Sequence, residues 1–360
     1  MSRETEIIEF LKDANWHEAA RSPVSGDAST RRYERLNLNG KIAVLMDAPK
    51  GMEAPSEPEG ASVADRKALG YNALARLAGP NAEAFACIAN ELTKRGFSAP
   101  KIIAADLEKG FMLLEDLGDD LYARVIEKNP LIERKLYEGA VDTLAAIYRS
   151  SFPKEMTFKN YKWRVRDYDT AAMLAEVDLF LDWYAKDFGH DIEGRGREEW
   201  HELWKAAFAS LDAHAPGLAL RDFHAENIFW LPEREATARV GLIDFQDGLF
   251  AHPAYDLTSL LDDARRDVNE VLKWEMMARF CEKAGIPACE KFTLAYYTLA
   301  AQRNTKILGI FVRLAKRDGK TQYRDLIPRV EENLRQNLGS MSELLDLENW
   351  FEDWVPELGT

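Results

Sequence analysis

A chain of 360 residues, 46% hydrophobic and 30% charged, has the composition of a folded globular protein long enough for two domains of ordinary size. Its 61 acidic residues outnumber 47 basic ones, and the resulting net charge of -14 repels phosphate backbones and anionic lipid surfaces, so nucleic acid and membranes are expected not to be partners. Cys87, Cys281 and Cys289 form no Cys-x-x-Cys pair and read as reduced core thiols. The amino terminus has Glu4, Glu6, Glu9 and Lys12 among its apolar residues, unlike a secretory signal, and no later stretch approaches the roughly 20 apolar residues of a membrane span. A cytoplasmic protein is the expectation.

Ile7, Ile8 and Leu11 mark a short amphipathic helix. A polar stretch, 23–32, precedes two strands at 33–38 and 42–46, joined by Asn39-Gly40, a pair that accepts positive φ in a tight hairpin turn. Pro, Gly and Glu make 49–60 an exposed loop. Phe85, Ile88, Ala89 and Leu92 recur at helical spacing, and Gly96 followed by Pro100 ends that helix. Strands at 102–105 and 111–114 then lead to a turn at Gly118.

From Leu121 onward the texture is helical. Ile132, Leu136, Ala140, Leu144 and Ile147 mark one helix, and Trp200, Leu203, Trp204, Phe208 and Leu211 another. A strand pair at 227–231 and 240–243 interrupts them around a polar turn, 232–238, and helices resume from Tyr255. The pattern predicts an α+β, bilobed chain: a small β-rich lobe over 1–117, a larger helical lobe over 118–360, and a ligand cleft between them.

The chemistry concentrates in Leu220-Arg221-Asp222-Phe223-His224-Ala225-Glu226-Asn227 and in Ile243-Asp244-Phe245-Gln246-Asp247. Asp222 and Asn227 fit the Asp-x-x-x-x-Asn catalytic loop of kinases, and Asp244 follows an apolar strand as the metal-binding Asp of Asp-Phe-Gly does. Phosphoryl transfer needs a carboxylate to accept the hydroxyl proton, the role open to Asp222. It also needs hard oxygen ligands for a magnesium ion, which Asn227 and Asp244 supply, with Asp247 a weaker candidate. Alone, the pentad would equally suit an Asp at a turn and an Asn in an Asx turn; the Ile-Asp-Phe strand end and the helix start at Pro253-Ala254-Tyr255-Asp256-Leu257 favour function.

On these residues the chain resembles the aminoglycoside phosphotransferase and choline kinase superfamily, which implies a protein-kinase-like fold, ATP and Mg2+. Asp256 resembles that family's buried loop-fixing aspartate, whereas Leu220 stands where the family has a histidine. Five motifs resemble more closely the anomeric N-acetylmuramate/N-acetylglucosamine kinases: 25–33 (Ser-Gly-Asp-Ala-Ser-Thr-Arg-Arg-Tyr), 44–49 (Val-Leu-Met-Asp-Ala-Pro), 113–118 (Leu-Leu-Glu-Asp-Leu-Gly), 243–247 and 302–311 (Gln-Arg-Asn-Thr-Lys-Ile-Leu-Gly-Ile-Phe). That resemblance implies an amino-sugar substrate phosphorylated at its anomeric hydroxyl; an aminoglycoside- or choline-type kinase is the alternative.

Gly26, Ser29 and Thr30 would then line a phosphate-binding loop, with charge added by Arg31 or Arg32, and Glu115 and Leu117 would present backbone to adenine. The segment 168–184 resembles a sugar-binding stretch and nominates Glu176 for substrate, although its Leu174, Phe180 and Trp183 stripe equally suits core packing. Gln302 and Arg303 read either as acceptor contacts or as helix surface. Strand 42–46 lacks the kinase lysine, the nearest being Lys41 and Lys50; a loop arginine would have to substitute. The same absence motivates the reading of a catalytically inactive, nucleotide- or partner-binding pseudokinase. His224-Ala225-Glu226 has no Pro-Cys-x-x-Cys to complete a zinc site, and neither a P-loop nor a Gly-x-Ser-x-Gly elbow is present.

Overall fold

Asn39 and Gly40 both take positive φ, 51° and 86°, and reverse the chain between two strands as their residue types dictate. The structure, a computed structural model, describes residues 2–24, 31–51 and 53–359. Gly26, Ser29 and Thr30 lie outside the described residues. The strands β1 (Ala20–Val24), β2 (Arg32–Leu38), β3 (Lys41–Asp47), β4 (Ile102–Asp106) and β5 (Phe111–Glu115) form an antiparallel sheet in the order β1-β2-β3-β5-β4. Leu36, Ala43, Leu45, Phe111 and Leu113 bury one face against Ile7, Phe10 and Leu11 of the helix Arg3–Asp13. Ile8, part of the expected stripe, instead lies 50% exposed, and Phe10 takes its place.

Residue contacts divide the chain into two compact units. One comprises Met1–Gly139, Phe152–Val165 and Glu226–Gly248; the other comprises Ala140–Ser151, Arg166–Ala225 and Leu249–Thr360. This interleaving differs from a single cut at 117/118, for a physical reason. The hairpin β6 (Glu155–Phe158) and β7 (Tyr161–Arg164), which the sequence reading missed, packs on the helix Ala82–Lys94, where Asn90 Nδ2 donates to the Thr157 carbonyl at 2.6 Å. Beyond β8 (Gly217–Ala219), the hairpin β9 (Ile228–Trp230) and β10 (Val240–Leu242) joins the first unit through its edges. The Leu242 amide donates to the Ser98 carbonyl at 2.9 Å and the Trp230 amide to Asp120 at 2.8 Å.

In the second unit β8 pairs with β11 (Leu249–Ala251), and helices supply the rest. Trp200 and Trp204 of the helix Arg195–Phe208 meet Phe180, Tyr184, Trp350 and Phe351 in an aromatic core, the expected core use of Phe180. The helix Glu290–Arg317 runs through this unit, nearly all of its central turns buried. At Gly309 a Cβ would lie 2.2 Å from the Leu179 carbonyl oxygen, so only glycine lets this helix close on the backbone where Thr170–Leu179 passes into a π-helical turn, Phe180–Ala185. Cys87 and Cys281 are core thiols; Cys289 is exposed, at the start of the long helix where no core reaches it. Among the described residues no helix is long and apolar enough to cross a membrane.

Candidate active site

In the second unit, β8 ends at Ala219 and the chain turns sharply: Arg221 has φ 78°, a left-handed conformation costing a non-glycine residue about 1–3 kcal/mol unless its surroundings impose it. The surroundings do impose it. Asp256, at the start of the helix Tyr255–Leu261, accepts the Leu220 amide at 2.6 Å and the Arg221 amide at 2.8 Å. Arg303 Nη1 donates to the Arg221 carbonyl at 3.1 Å. The Arg221 guanidinium itself donates to the fully buried Glu176. Burial pushes the Asp256 carboxyl up to about 6, against the pull of its two amide donors.

The next residue, Asp222, keeps 39% of its side chain exposed, with Arg303 Nη2 at 3.5 Å from Oδ1. Burial of its surroundings raises the Asp222 pKa, but the cations Arg303, then Lys306 and Arg221, outweigh it and hold the carboxylate below its ordinary range. A charged, reachable carboxylate on a fixed loop can accept a proton from a hydroxyl. His224 is buried and neutral at pH 7, burial pushing it down to about 4.

Sequence reasoning missed the support behind this loop. Lys306 Nζ lies 3.3 Å from Glu176, Gln302 Nε2 donates to Glu176 at 3.1 Å, and the Tyr168 hydroxyl donates to it at 2.5 Å. Gln302 and Arg303 are therefore neither helix surface nor established acceptor contacts: both turn toward the catalytic loop or its support. Five consecutive polar residues, 302–306, are buried in one helix, and that is the signal that could have found them, since buried polar side chains demand partners. Glu176, nominated for substrate, has no exposed surface and both oxygens engaged by the protein, which argues for a supporting place.

The other two predicted groups belong to the first unit. Asp244 follows β10 with φ 58°, and its carboxylate accepts Gln246 Nε2 at 2.7 Å and Asn227 Nδ2 at 3.4 Å. The sequence thus brings Asn227 and Asp244 together as expected. Two hard oxygen donors are a fitting protein share for Mg2+, which takes few protein ligands and fills its octahedron with water and phosphate oxygens. Among the described residues no cluster of three or more His, Cys, Asp or Glu suits a metal ion. Asp247 instead accepts the Ala78 amide at 2.6 Å.

Of the paired arginines, Arg32 opens β2 exposed, while Arg31, just before the strand, sits among Tyr33, Asp247, Asp244 and Glu53. Burial lowers the Arg31 pKa, and those neighbours more than restore it. A shallow hollow lies beside it, lined by Arg31, Ala48, Pro49, Glu53 and residues 79–82. Lys41 is exposed at the start of β3, so no strand lysine serves this region. Asp47 is spent on Arg3, accepting Nε at 2.9 Å, which makes the Met-Asp-Ala-Pro motif a structural one here. The Glu115 amide is committed to the Lys101 carbonyl at 2.8 Å, and Glu115 pairs with Ala43 of β3.

An antiparallel five-stranded sheet, a largely helical second unit and an Asp-x-x-x-x-Asn loop define a phosphotransferase of the protein-kinase-like class. Residues 21–292 match the model of the phosphotransferase enzyme family, and the chain belongs to that family. Two relatives carry the name N-acetylmuramate/N-acetylglucosamine kinase. That of Caulobacter vibrioides is 41% identical over 356 residues, 98% of this chain and 97% of its own. That of Pseudomonas aeruginosa is 30% identical over 332 residues, 90% and 86% of the two chains. Among solved structures, a choline kinase from Streptococcus pneumoniae shares the fold with a TM-score of 0.57 at 13% identity, covering 92% of this chain and 99% of that one. A choline/ethanolamine kinase family protein from Mesorhizobium loti does so with a TM-score of 0.55 at 16% identity, covering 95% and 97%.

Proposed function

We propose that this phosphotransferase uses ATP and Mg2+ to phosphorylate an N-acetylated amino sugar of the N-acetylmuramate or N-acetylglucosamine type at its anomeric hydroxyl. The observation that carries the catalytic part is the exposed, charged Asp222 on a loop fixed by Asp256 and Arg303. The full-length likeness to kinases named for these sugars supports the substrate class.

Asp222 orients the acceptor hydroxyl and takes its proton. Its lowered pKa makes it a weak base, which suits an anomeric hydroxyl: the ring oxygen withdraws charge and makes that hydroxyl more acidic than an ordinary alcohol. In a loose phosphoryl-transfer transition state the proton leaves late, so holding the oxygen in line matters more than base strength. Asn227 and Asp244 would hold Mg2+, which neutralises charge on the transferring phosphate when bound. Arg31 supplies the cation that β3 lacks, its charge sustained by Asp244 and Asp247. Gly26, Ser29 and Thr30 would offer backbone amides to the phosphates, with the 115–117 segment at the base.

An ADP-release assay across N-acetylmuramate, N-acetylglucosamine, aminoglycosides and choline tests this, with 31P NMR locating the phosphate. The expected result is Mg2+-dependent turnover of the N-acetyl sugars and an anomeric phosphate. Turnover of aminoglycosides or choline alone would overturn the substrate, and absence of Mg2+-dependent ATP binding would favour a pseudokinase.

A further inference from the structure

We propose that Glu176 is a positioning residue for the proton acceptor, acting on Asp222 through Arg221, and is not a sugar contact. The inference rests on the amino-sugar kinase reading above, and on a geometry that reading does not use.

Arg221 is gripped at every polar point. Its amide goes to Asp256, its carbonyl receives Arg303, and its guanidinium reaches Glu176. The first two grips fix the backbone locally. The third ties the residue before Asp222 to the helix Thr170–Leu179, 45 positions away in sequence. Glu176 is pinned in turn from the helix Glu290–Arg317 by Lys306 and Gln302, and by Tyr168, whose hydroxyl also accepts Gln302 Nε2 at 2.8 Å. Lys306 Nζ further donates to the Tyr255 hydroxyl at 3.1 Å, one residue from Asp256.

The cluster is thus a closed circuit in which one buried carboxylate, Glu176, pairs with both Arg221 and Lys306. The two cations hold it ionised against burial, down at about 2. Neutralising Glu176 removes the carboxylate that these two buried cations share, and the guanidinium it holds is the one attached to the Asp222 loop. A sealed carboxylate with no exposed surface has nothing left to offer a sugar hydroxyl.

Kinetics of Glu176→Gln, alone and combined with Asp222→Asn, test this. Loss of positioning lowers kcat about 10- to 100-fold while the KM for the sugar stays within about twofold, because the interaction acts on the transition state. In the Asp222→Asn background the same change costs less than about twofold, since the group being positioned is gone. Circular dichroism establishes that each variant is folded. Should Glu176→Gln not fold, Tyr168→Phe, which removes one donor to Glu176, carries the same test: kcat falls about 2- to 5-fold with unchanged sugar KM, again without additivity. A raised sugar KM with kcat intact, or losses that multiply in the double variant, overturns the positioning role and leaves the kinase reading standing. No sugar-dependent turnover by the unmodified protein overturns both.

Discussion

Asp222 and Asp244 each follow a short strand, and each sits at or beside a left-handed residue, yet they are held by opposite means. Asp244 is engaged by near neighbours, Gln246 two residues on and Asn227 across the hairpin. The Asp222 loop is braced by contacts 35 to 82 positions apart in sequence, from three helices, through buried charge. The difference matches the two tasks proposed for them. A metal ligand is drawn to its ion by charge and needs only a short local tether, whereas a proton acceptor must be aimed at an oxygen by the protein alone.

The largest effect expected from this contrast is at the acceptor. Asp222→Asn lowers kcat by about 10²–10⁴-fold with the nucleotide dissociation constant nearly unchanged, as steady-state kinetics and calorimetry would measure. Asp244→Ala should act differently, weakening Mg2+-dependent nucleotide binding and lowering kcat/KM by about tenfold or more, a loss that added Mg2+ partly restores. Equal behaviour of the two variants would erase the distinction. Asp256→Asn leaves one of two buried amides without its carboxylate acceptor and costs about 1–3 kcal/mol of stability, read from denaturant unfolding.

Smaller effects come through protonation. Arg303 favours the charged form of Asp222, so Arg303→Leu raises that pKa and moves the acid limb of the kcat profile to higher pH; a limb that stays in place contradicts the role. Glu176, held at about 2 in the fold against an ordinary 4.5, contributes stability fully above pH 4.5 that is lost as pH falls toward 2. Thermal melts between pH 3 and pH 6 should show this acid dependence weakened in Glu176→Gln.

What could be read from sequence follows the range of each interaction. Asn39-Gly40, the apolar spacing of residues 85–92 and the strand ending at Ile243-Asp244 are local signals, and local geometry honours them. β1 does not stand out from its polar stretch because its burial is slight. The hairpin at 155–164 has alternation over only four residues a side, too short to stand out from helices. The support of the catalytic loop was invisible for a different reason: helical periodicity reports apolar faces, and residues 302–306 are polar yet buried. Gly309 shows the same limit, since its need comes from the backbone of Leu179 and Phe180, 130 and 129 residues earlier.

A crystal structure with N-acetylmuramate, Mg2+ and a non-hydrolysable ATP analogue examines the whole arrangement at once. It should show the anomeric oxygen within about 2.6–3.2 Å of Asp222 and the ion on Asn227 and Asp244. A sugar hydroxyl seated away from Asp222, or an ion that ignores both ligands, would contradict the account.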